Sequence, residues 1–352
     1  MSRIFISHIV PRDRIINYNI SIAACNFSYN LIEGSLFDYT YSILPSFVSG
    51  HVDHFEGLVY SRLRHYGPLR KIAPLFENFT LFQKISKNDS VWYYNCTILN
   101  AFLIVLLHLF KPRVKQNIIL LDYTLCDKLI DRFFLWLSNH MHGMIKLADS
   151  PLFTVKNSVC LPGVVPDDGK EYPKVQNMKK EFLISGALGD NISMLSMLLD
   201  AFTQMLDLTL HITGKAPDAK KVEEYASKYK NIIYHGMVEY EEYLSILHST
   251  PFLLSTRDPR YPENQCNFPS KVIEALLHNR IIVSTIHYPQ LEGIKYFEVG
   301  TDIEEFIKDI QAISRAADDD LIQYANQSSI VKERFNVRVW NEWMKKIEEY
   351  EN

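Results

Sequence analysis

Short apolar, β-rich runs alternate with longer stretches of helical spacing along the whole chain. In the first half RIFISHIV, FDYTYSIL, SVWYYNC, NIILLDYT, GMIKLAD and NSVCLP have strand character. Between them IINYNISIAACNFSYNLI, TILNAFLIVLLHLF and DKLIDRFFLWLSN repeat apolar residues at three- and four-residue intervals, the period of a helix with a buried face. A long irregular stretch follows the HVDHFEG segment at 51–57. The rhythm stops over VVPDDGKEYPKVQNMKK (164–180), where Pro, Gly, Asp and Lys accumulate. It then restarts with EFLISGAL, LTLHITG, NIIYHG, PFLLST, RIIVST and KYFEVG as strands, separated by ISMLSMLLDAFTQML, DAKKVEEYASKYK, YEEYLSILHS, SKVIEALLH and DIEEFIKDIQAISRAA as helices. Alternation of this kind builds parallel sheets covered by helices. The expectation is two α/β Rossmann-like domains, residues 1–165 and 181–335, joined by a linker at 166–180 and facing a cleft. A C-terminal helix over 336–352 carries Trp340 and Trp343, whose rings need an apolar surface that the first domain can offer.

At 352 residues the chain suits two domains of ordinary size. Thirty-seven Lys and Arg stand against 41 Asp and Glu, so no overall positive field draws nucleic acid. Cys25, Cys96, Cys126, Cys160 and Cys266 are scattered without a C-x-x-C pair, the usage of packing residues in a reducing compartment. The N-terminus enters a short strand without the apolar region and cleavage site of a signal peptide, which predicts a cytoplasmic protein. The longest apolar run, AFLIVLLHLF (101–110), is short of the ~20 residues a bilayer span needs and reads as a buried helix. Seated at the surface instead, followed by KPRVK (111–115), it would contact the inner face of a membrane.

Loops after strands carry ligands in such folds. After PFLLST the chain reads RDPRYPENQCNFPSKVIEA, a strand, a loop and a helix start. Pro269 suits a first helical turn, leaving Ser270 and Lys271 beside unpaired N–H groups and the positive end of the helix dipole, an anion site. Glu274 lies one turn on and can accept two hydroxyls of a ribose; a surface ion pair is its competing reading. Arg257 ends the strand at the same rim, able to clamp a diphosphate or to pair with Asp258 or Glu263; Arg260 shares the loop. In SGALGDNIS, Gly186 and Gly189 let a backbone approach a phosphate closely, or simply make a tight turn, with Asp190 or Asn191 as N-cap. His51 and His54 lack a third histidine at helical spacing for a metal set and are read as acceptor-side residues. Asp122 and Asn95 at strand ends are acceptor-side candidates or N-caps.

The series FLISGAL, LTLHITGK, NIIYHGMV, YLSILHSTPFLLSTR and NFPSKVIEALLHNRIIVST resembles the nucleotide-sugar domain of retaining GT-B glycosyltransferases of the family-4 group, over roughly residues 181–300. The Phe-Pro-Ser-Lys form is similar to bacterial capsule and O-antigen assembly enzymes. Of the family's Glu-x7-Glu motif, Phe268 matches the Phe, Pro269 the Gly, Glu274 the second, ribose-holding Glu, and Cys266 falls on the first. The resemblance implies a GT-B fold, with Ser270, Asn267 and Phe268 beside Glu274, Gly186 and Gly189 at the donor, and Lys271 and Arg257 as catalytic cations. It further implies a nucleotide sugar as donor, a saccharide or lipid-linked saccharide as acceptor, and no metal or other cofactor. The family's diphosphate-gripping Arg and Lys are replaced by Ala187 and Ser193, and the first domain reads HIVPRDR where a glycine-rich loop is usual. Two alternatives follow from these departures and from the shared architecture: a GT-B-shaped scaffold without activity, and a nucleotide-sugar epimerase.

Overall fold

The computed structural model describes residues 1–12, 15, 20–46, 48, 57–120 and 128–351. His51, His54 and Asp122 lie outside them. The chain forms two compact units, one of residues 1–167, 266–268 and 335–352, the other of 168–265 and 269–334.

The first unit holds β1 (Arg3–Ser7), β2 (Tyr39–Ser42), β3 (Ser90–Tyr94), β4 (Lys115–Leu120), β5 (Gly143–Lys146) and β6 (Ser158–Cys160). All pair in parallel in the order β2-β1-β3-β4-β5-β6. Each strand but β4, which begins two residues before its run at Lys115, sits within its predicted run, because strands buried on both faces read as nearly continuous apolar segments. Helix α1 spans Ile22–Glu33, α2 Ala73–Lys84, α3 Ala101–Phe110 and α4 Leu129–Asn139. One sheet face carries Ile4, Val91, Ile118 and Met144 against Leu81, Leu107 and Leu137 of α2, α3 and α4.

Alternate positions face the C-terminal helix, Val337–Glu349. Its Trp340 is buried, donates from Nε1 to the Gly163 carbonyl at 2.9 Å and stands edge-on to Phe27. Glu348 accepts from Arg3 at 2.6 and 2.8 Å, Ser90 Oγ at 2.7 Å and Trp92 Nε1 at 2.8 Å. Burial disfavours that carboxylate, but the bonds from Arg3, Trp92 and Ser90 outweigh it and hold its pKa below the usual range.

The irregular stretch expected after residue 57 contains α2. Its amphipathic sense is inverted: Glu77 and Asn78 are buried while Leu75, Phe76 and Phe79 are exposed. Glu77 is inside because Arg64, also buried, bonds it through Nε at 2.6 Å and Nη2 at 2.7 Å. Asn78 donates to the Pro74 and Leu99 carbonyls and accepts from the Leu103 N–H.

The second unit holds β7 (Glu181–Ala187), β8 (Thr209–Lys215), β9 (Ile232–Gly236), β10 (Phe252–Ser255), β11 (Ile281–Ser284) and β12 (Phe297–Glu298), parallel in the order β12-β11-β10-β7-β8-β9. Its helices are α5 (Asp190–Ser193), α6 (Leu195–Phe202), α7 (Ala219–Lys228), α8 (Tyr240–Ser249), α9 (Pro262–Cys266, whose last residue belongs to the first unit), α10 (Ser270–Leu277), α11 (Ile303–Arg315), α12 (Asp318–Ile322) and α13 (Ser328–Phe335). The single helix expected over 192–206 is broken at Met194, whose left-handed φ of 48° ends α5 and starts α6. Asp190 is the first residue of α5, whose N-cap is Gly189, and its carboxylate accepts from Ser196 N at 2.7 Å and Oγ at 2.9 Å in the first turn of α6. Among the described residues no helix is long and apolar enough to cross a membrane. Cys25, Cys96, Cys160 and Cys266 are free thiols.

Candidate functional site

In the second unit the strand order grows from β7 outward, to β8 and β9 on one side and to β10, β11 and β12 on the other. The loops leaving β7 and β10 therefore part at their carboxyl ends, the switch point where open α/β sheets hold ligands. Gly186 and Gly189 lie at or just after the end of β7, Arg257 follows β10, and α10 begins with Ser270 and Lys271.

Gly186 takes φ +110°, a conformation that favours glycine. A Cβ there would meet only Lys271 Cγ, at 4.0 Å, so this backbone faces open space bordered by the lysine stem. Its register partner Gly214 is the residue the sequence reading missed. With φ +133°, a Cβ on Gly214 would stand 1.9 Å from the Gly186 carbonyl oxygen. The only signal was a glycine at the end of LTLHITG, and its meaning depends on the neighbouring strand.

Lys271 and Glu274 form the centre of a cluster. Lys271 Nζ donates to Glu274 Oε2 at 2.7 Å and stands 3.9 Å over the Tyr243 ring. The Tyr243 hydroxyl donates to Oε2 at 3.1 Å and that of Tyr240 to Oε1 at 3.2 Å. Burial, then the Glu274 charge, push both phenols' pKa well above the usual range, so they remain donors. Tyr240 and Tyr243 went unnoticed in the sequence, although aromatics three apart on one helix share a face. Behind them His278 and His248 share a 2.7 Å ring hydrogen bond, and burial lowers the His278 pKa to about 4.

Helix α10 starts at Ser270, where SKVIEALLH begins, with Pro269 as its N-cap just outside the first turn. Gly189 has extended backbone, φ 168°, and its N–H donates to Ser193 Oγ at 3.0 Å, while that hydroxyl donates to the Gly189 carbonyl at 3.0 Å. Asp258 is bonded by Arg260, through Nε at 2.9 Å and Nη2 at 2.7 Å, which lowers its pKa. Arg257 donates its N–H to Thr285 Oγ1 at 2.7 Å, and that hydroxyl donates back to the Arg257 carbonyl. Asn267 and Phe268 belong to the first unit, as does Cys266, whose thiol donates to Ser150 Oγ at 3.3 Å. Asn95 follows β3 at φ 52°, with its N–H on the Ile119 carbonyl; Asn100, not Asn95, caps α3. Among the described residues no group of three or more His, Cys, Asp or Glu is placed to hold a metal ion.

Comparison with solved structures identifies the architecture. HepE (Alr3699) from Anabaena, in complex with UDP and glucose, aligns over 98% of this chain and 99% of its own with a TM-score of 0.68 at 14% identity. Sucrose-phosphate synthase from Thermosynechococcus elongatus aligns over 99% and 98% with a TM-score of 0.66 at 12% identity. The fold is GT-B. A third GT-B structure, S. aureus TarM with UDP bound, has a TM-score of 0.55 at 13% identity over 78% of this chain; the chain spans 58% of TarM's own length. In sequence, residues 179–316 match the family model of glycosyl transferases group 1. Apart from residues 266–268, that match lies in the second unit, which carries the Lys271 and Glu274 cluster. No curated protein sequence matches the chain.

Proposed function

We propose that the chain is a retaining glycosyltransferase that moves a sugar from a nucleoside-diphosphate sugar to a saccharide or lipid-linked saccharide in surface polysaccharide assembly, without a metal. The observation that carries this reading is the Lys271, Glu274, Tyr240 and Tyr243 cluster at the first turn of α10, beside the open backbone of Gly186. The match of residues 179–316 to glycosyl transferases group 1 supports it. In this reading Glu274 holds the donor ribose, and Gly186, Gly189 and Ser270 form the donor side of the second unit; Asn267 and Phe268 are also assigned to the donor. Lys271 and Arg257 meet the charge that develops on the diphosphate as the glycosidic bond breaks, the point where fixed cations and N–H groups lower the barrier most. Asn95, His51, His54 and Asp122 are assigned to the acceptor.

A second reading, a GT-B-shaped scaffold without activity, draws on Ser193. The position that family members fill with a phosphate-gripping lysine is a buried hydroxyl engaged with Gly189 in both directions.

A thermal-denaturation screen against UDP, GDP, ADP, CMP and dTDP separates the two, since a ligand at 100 times its Kd stabilises the folded state by about 2.7 kcal/mol. A shift with one nucleotide, lost in Lys271→Ala, supports the transferase and names its base. No shift with any supports the scaffold. Turnover that needs an acceptor then distinguishes transfer from epimerisation.

A further inference from the structure

The outer faces of α2, α3 and α4 form a layer that no described residue of the first unit covers. All three helices pack on one face of the sheet through Leu81, Leu103, Leu107 and Leu137, so their remaining faces point away from it together. On α2 the outward residues are the large apolar ones, with Phe76 53% exposed, while Glu77 is 1% exposed. On α3, Phe102, Leu109 and Phe110 are exposed, three residues seven and eight apart and therefore on one side of the helix. On α4, Leu129 is 82% and Trp136 51% exposed, with Phe133 stacked on Trp136 at 6.0 Å. Phe82 links the first two helices, its ring 6.2 Å from both Phe79 and Phe110. Exposed apolar residues one at a time are ordinary, but a continuous layer marks an interaction surface.

Charge selects the partner. Residues 57–115 contain nine Lys and Arg against two carboxylates, Glu77 and Asp89, in a chain whose net charge is −4. Both carboxylates are buried, Glu77 on Arg64 and Asp89 on the Ser2 and Ser86 N–H groups. Lys111 is drawn inward by the Phe82 and Ile85 carbonyls, but Arg62, Arg70, Lys71, Lys84, Lys87 and Arg113 are exposed. Arg62, Arg70 and Lys71 precede α2, Lys84 ends it, Lys87 follows it, Arg113 follows α3, and Arg132 lies on α4, so exposed cations flank the helices that carry the exposed Phe, Leu and Trp, a combination that suits the headgroup region of an anionic bilayer. We infer that the α2, α3 and α4 layer seats the first unit on an anionic membrane surface, with Trp136 and Phe110 entering the headgroup boundary. The inference uses the first unit alone and does not depend on the nucleotide reading of the second.

The test is co-sedimentation of the full chain with vesicles of phosphatidylcholine, with and without phosphatidylglycerol, together with tryptophan quenching by tail-brominated lipid. Binding is expected only with phosphatidylglycerol, and weaker as salt rises. Each basic residue near such a surface contributes about five-fold to partitioning, so Arg70→Glu with Lys71→Glu should lower it at least about 25-fold. The double change Leu109→Ser with Phe110→Ser should also release the protein, while leaving its nucleotide-induced thermal shift in place. Trp92 and Trp340 are buried, and Trp343 is half-buried beneath Lys346 on the C-terminal helix, against the other face of the sheet; quenching should therefore vanish in Trp136→Phe and persist in Trp343→Phe, while sedimentation persists in both. Failure to sediment with either vesicle overturns the inference in favour of a protein partner. Equal binding to neutral vesicles, or quenching that survives Trp136→Phe, also overturns it.

Discussion

Replacing Glu274 separates what its carboxylate does for the fold from what it does for a ligand. Oε2 accepts from Lys271 at 2.7 Å and Tyr243 at 3.1 Å, and Oε1 from Tyr240 at 3.2 Å. Tyr243 is 5% exposed, so Glu274→Ala leaves a buried hydroxyl without that acceptor, a cost of about 1–3 kcal/mol. The Lys271 bridge adds at most about 0.5 kcal/mol, since 34% of the lysine side chain and 22% of the glutamate's remain exposed. At about 2–4 °C per kcal/mol for a domain of this size, alanine should lower Tm by roughly 2–14 °C. Glu274→Gln keeps an oxygen for Tyr243 and should stay within about 2 °C of wild type.

Nucleotide binding should divide the two variants differently. A hydrogen bond to a charged acceptor contributes about 1.5–3 kcal/mol, roughly ten- to a hundred-fold in Kd. Glu274→Gln should therefore bind the nucleoside diphosphate ten- to a hundred-fold more weakly by calorimetry although its Tm is nearly unchanged. A glutamine variant with wild-type Kd would refute the ribose role and leave the carboxylate as a clamp for Tyr240, Tyr243 and Lys271.

Other perturbations test the frame around this cluster. Gly214→Ala places a methyl 1.9 Å from the Gly186 carbonyl at a φ of +133°; it should cost about 3 kcal/mol or more in urea unfolding, and a loss below about 1 kcal/mol would mean the strands part easily. Glu348→Ala removes the counter-charge of the Arg3 guanidinium, 12% exposed, leaving only its Nη1 bonds to the Leu36 carbonyl and Asn341, and should cost about 3 kcal/mol at pH 7; because the Glu348 pKa is depressed, the difference from wild type should shrink as pH falls through that pKa. Burial also holds His8 at a pKa of about 4, against an opposing bond to the Ile43 carbonyl, as it holds His278 at about 4. The unfolded chain, with histidines near 6.5, takes up protons first, so stability should decline from about pH 6.5 to about 4. His8→Gln should flatten that decline, and an unchanged pH profile would clear His8 of the effect.

Strand positions were legible because the central strands β1, β3, β10 and β11 are apolar on both faces and the others keep short β-rich runs between helical stretches. What escaped depended on partners distant in sequence. Helix α2 was unreadable because Glu77 is inside on account of Arg64, a partner 13 residues away, and the phenylalanines are outside. The break at Met194 was hidden because Ile192, Met194, Leu195 and Leu198 keep helical spacing through it; it is fixed by Asp190 reaching Ser196 and by Ser193 closing on Gly189. In the candidate site, Lys271 and Glu274 were visible because one helical turn joins them, whereas Tyr240 and Tyr243 lie more than 30 residues upstream of the carboxylate they bond. Arg260 was visible as a cation, but its capture of Asp258 was not.

The missing cations of the first loop are not a simple loss. Ser193 accepts the Gly189 N–H and returns a bond to its carbonyl, and its own carbonyl accepts from Thr256 Oγ1 at 2.6 Å. A lysine at 193 would undo both Gly189 bonds, so the loop after β7 is closed by neutral groups and offers little charge of its own. Positive charge at the switch point comes from other elements: Lys271 from α10, and Lys215, exposed and in register with Ala187, from β8. Under the transferase reading, a diphosphate reaching Gly186 competes with Glu274 for the Lys271 amine. That exchange is inexpensive, because the bridge is partly exposed and Tyr240 and Tyr243 still satisfy the carboxylate. Lys271 can thus be held near its working position by Glu274 before a ligand arrives and turn to the phosphate afterwards, with Glu274 released to the ribose. Removing Lys271 should then affect diphosphates far more than nucleosides, whereas removing Glu274 should affect both.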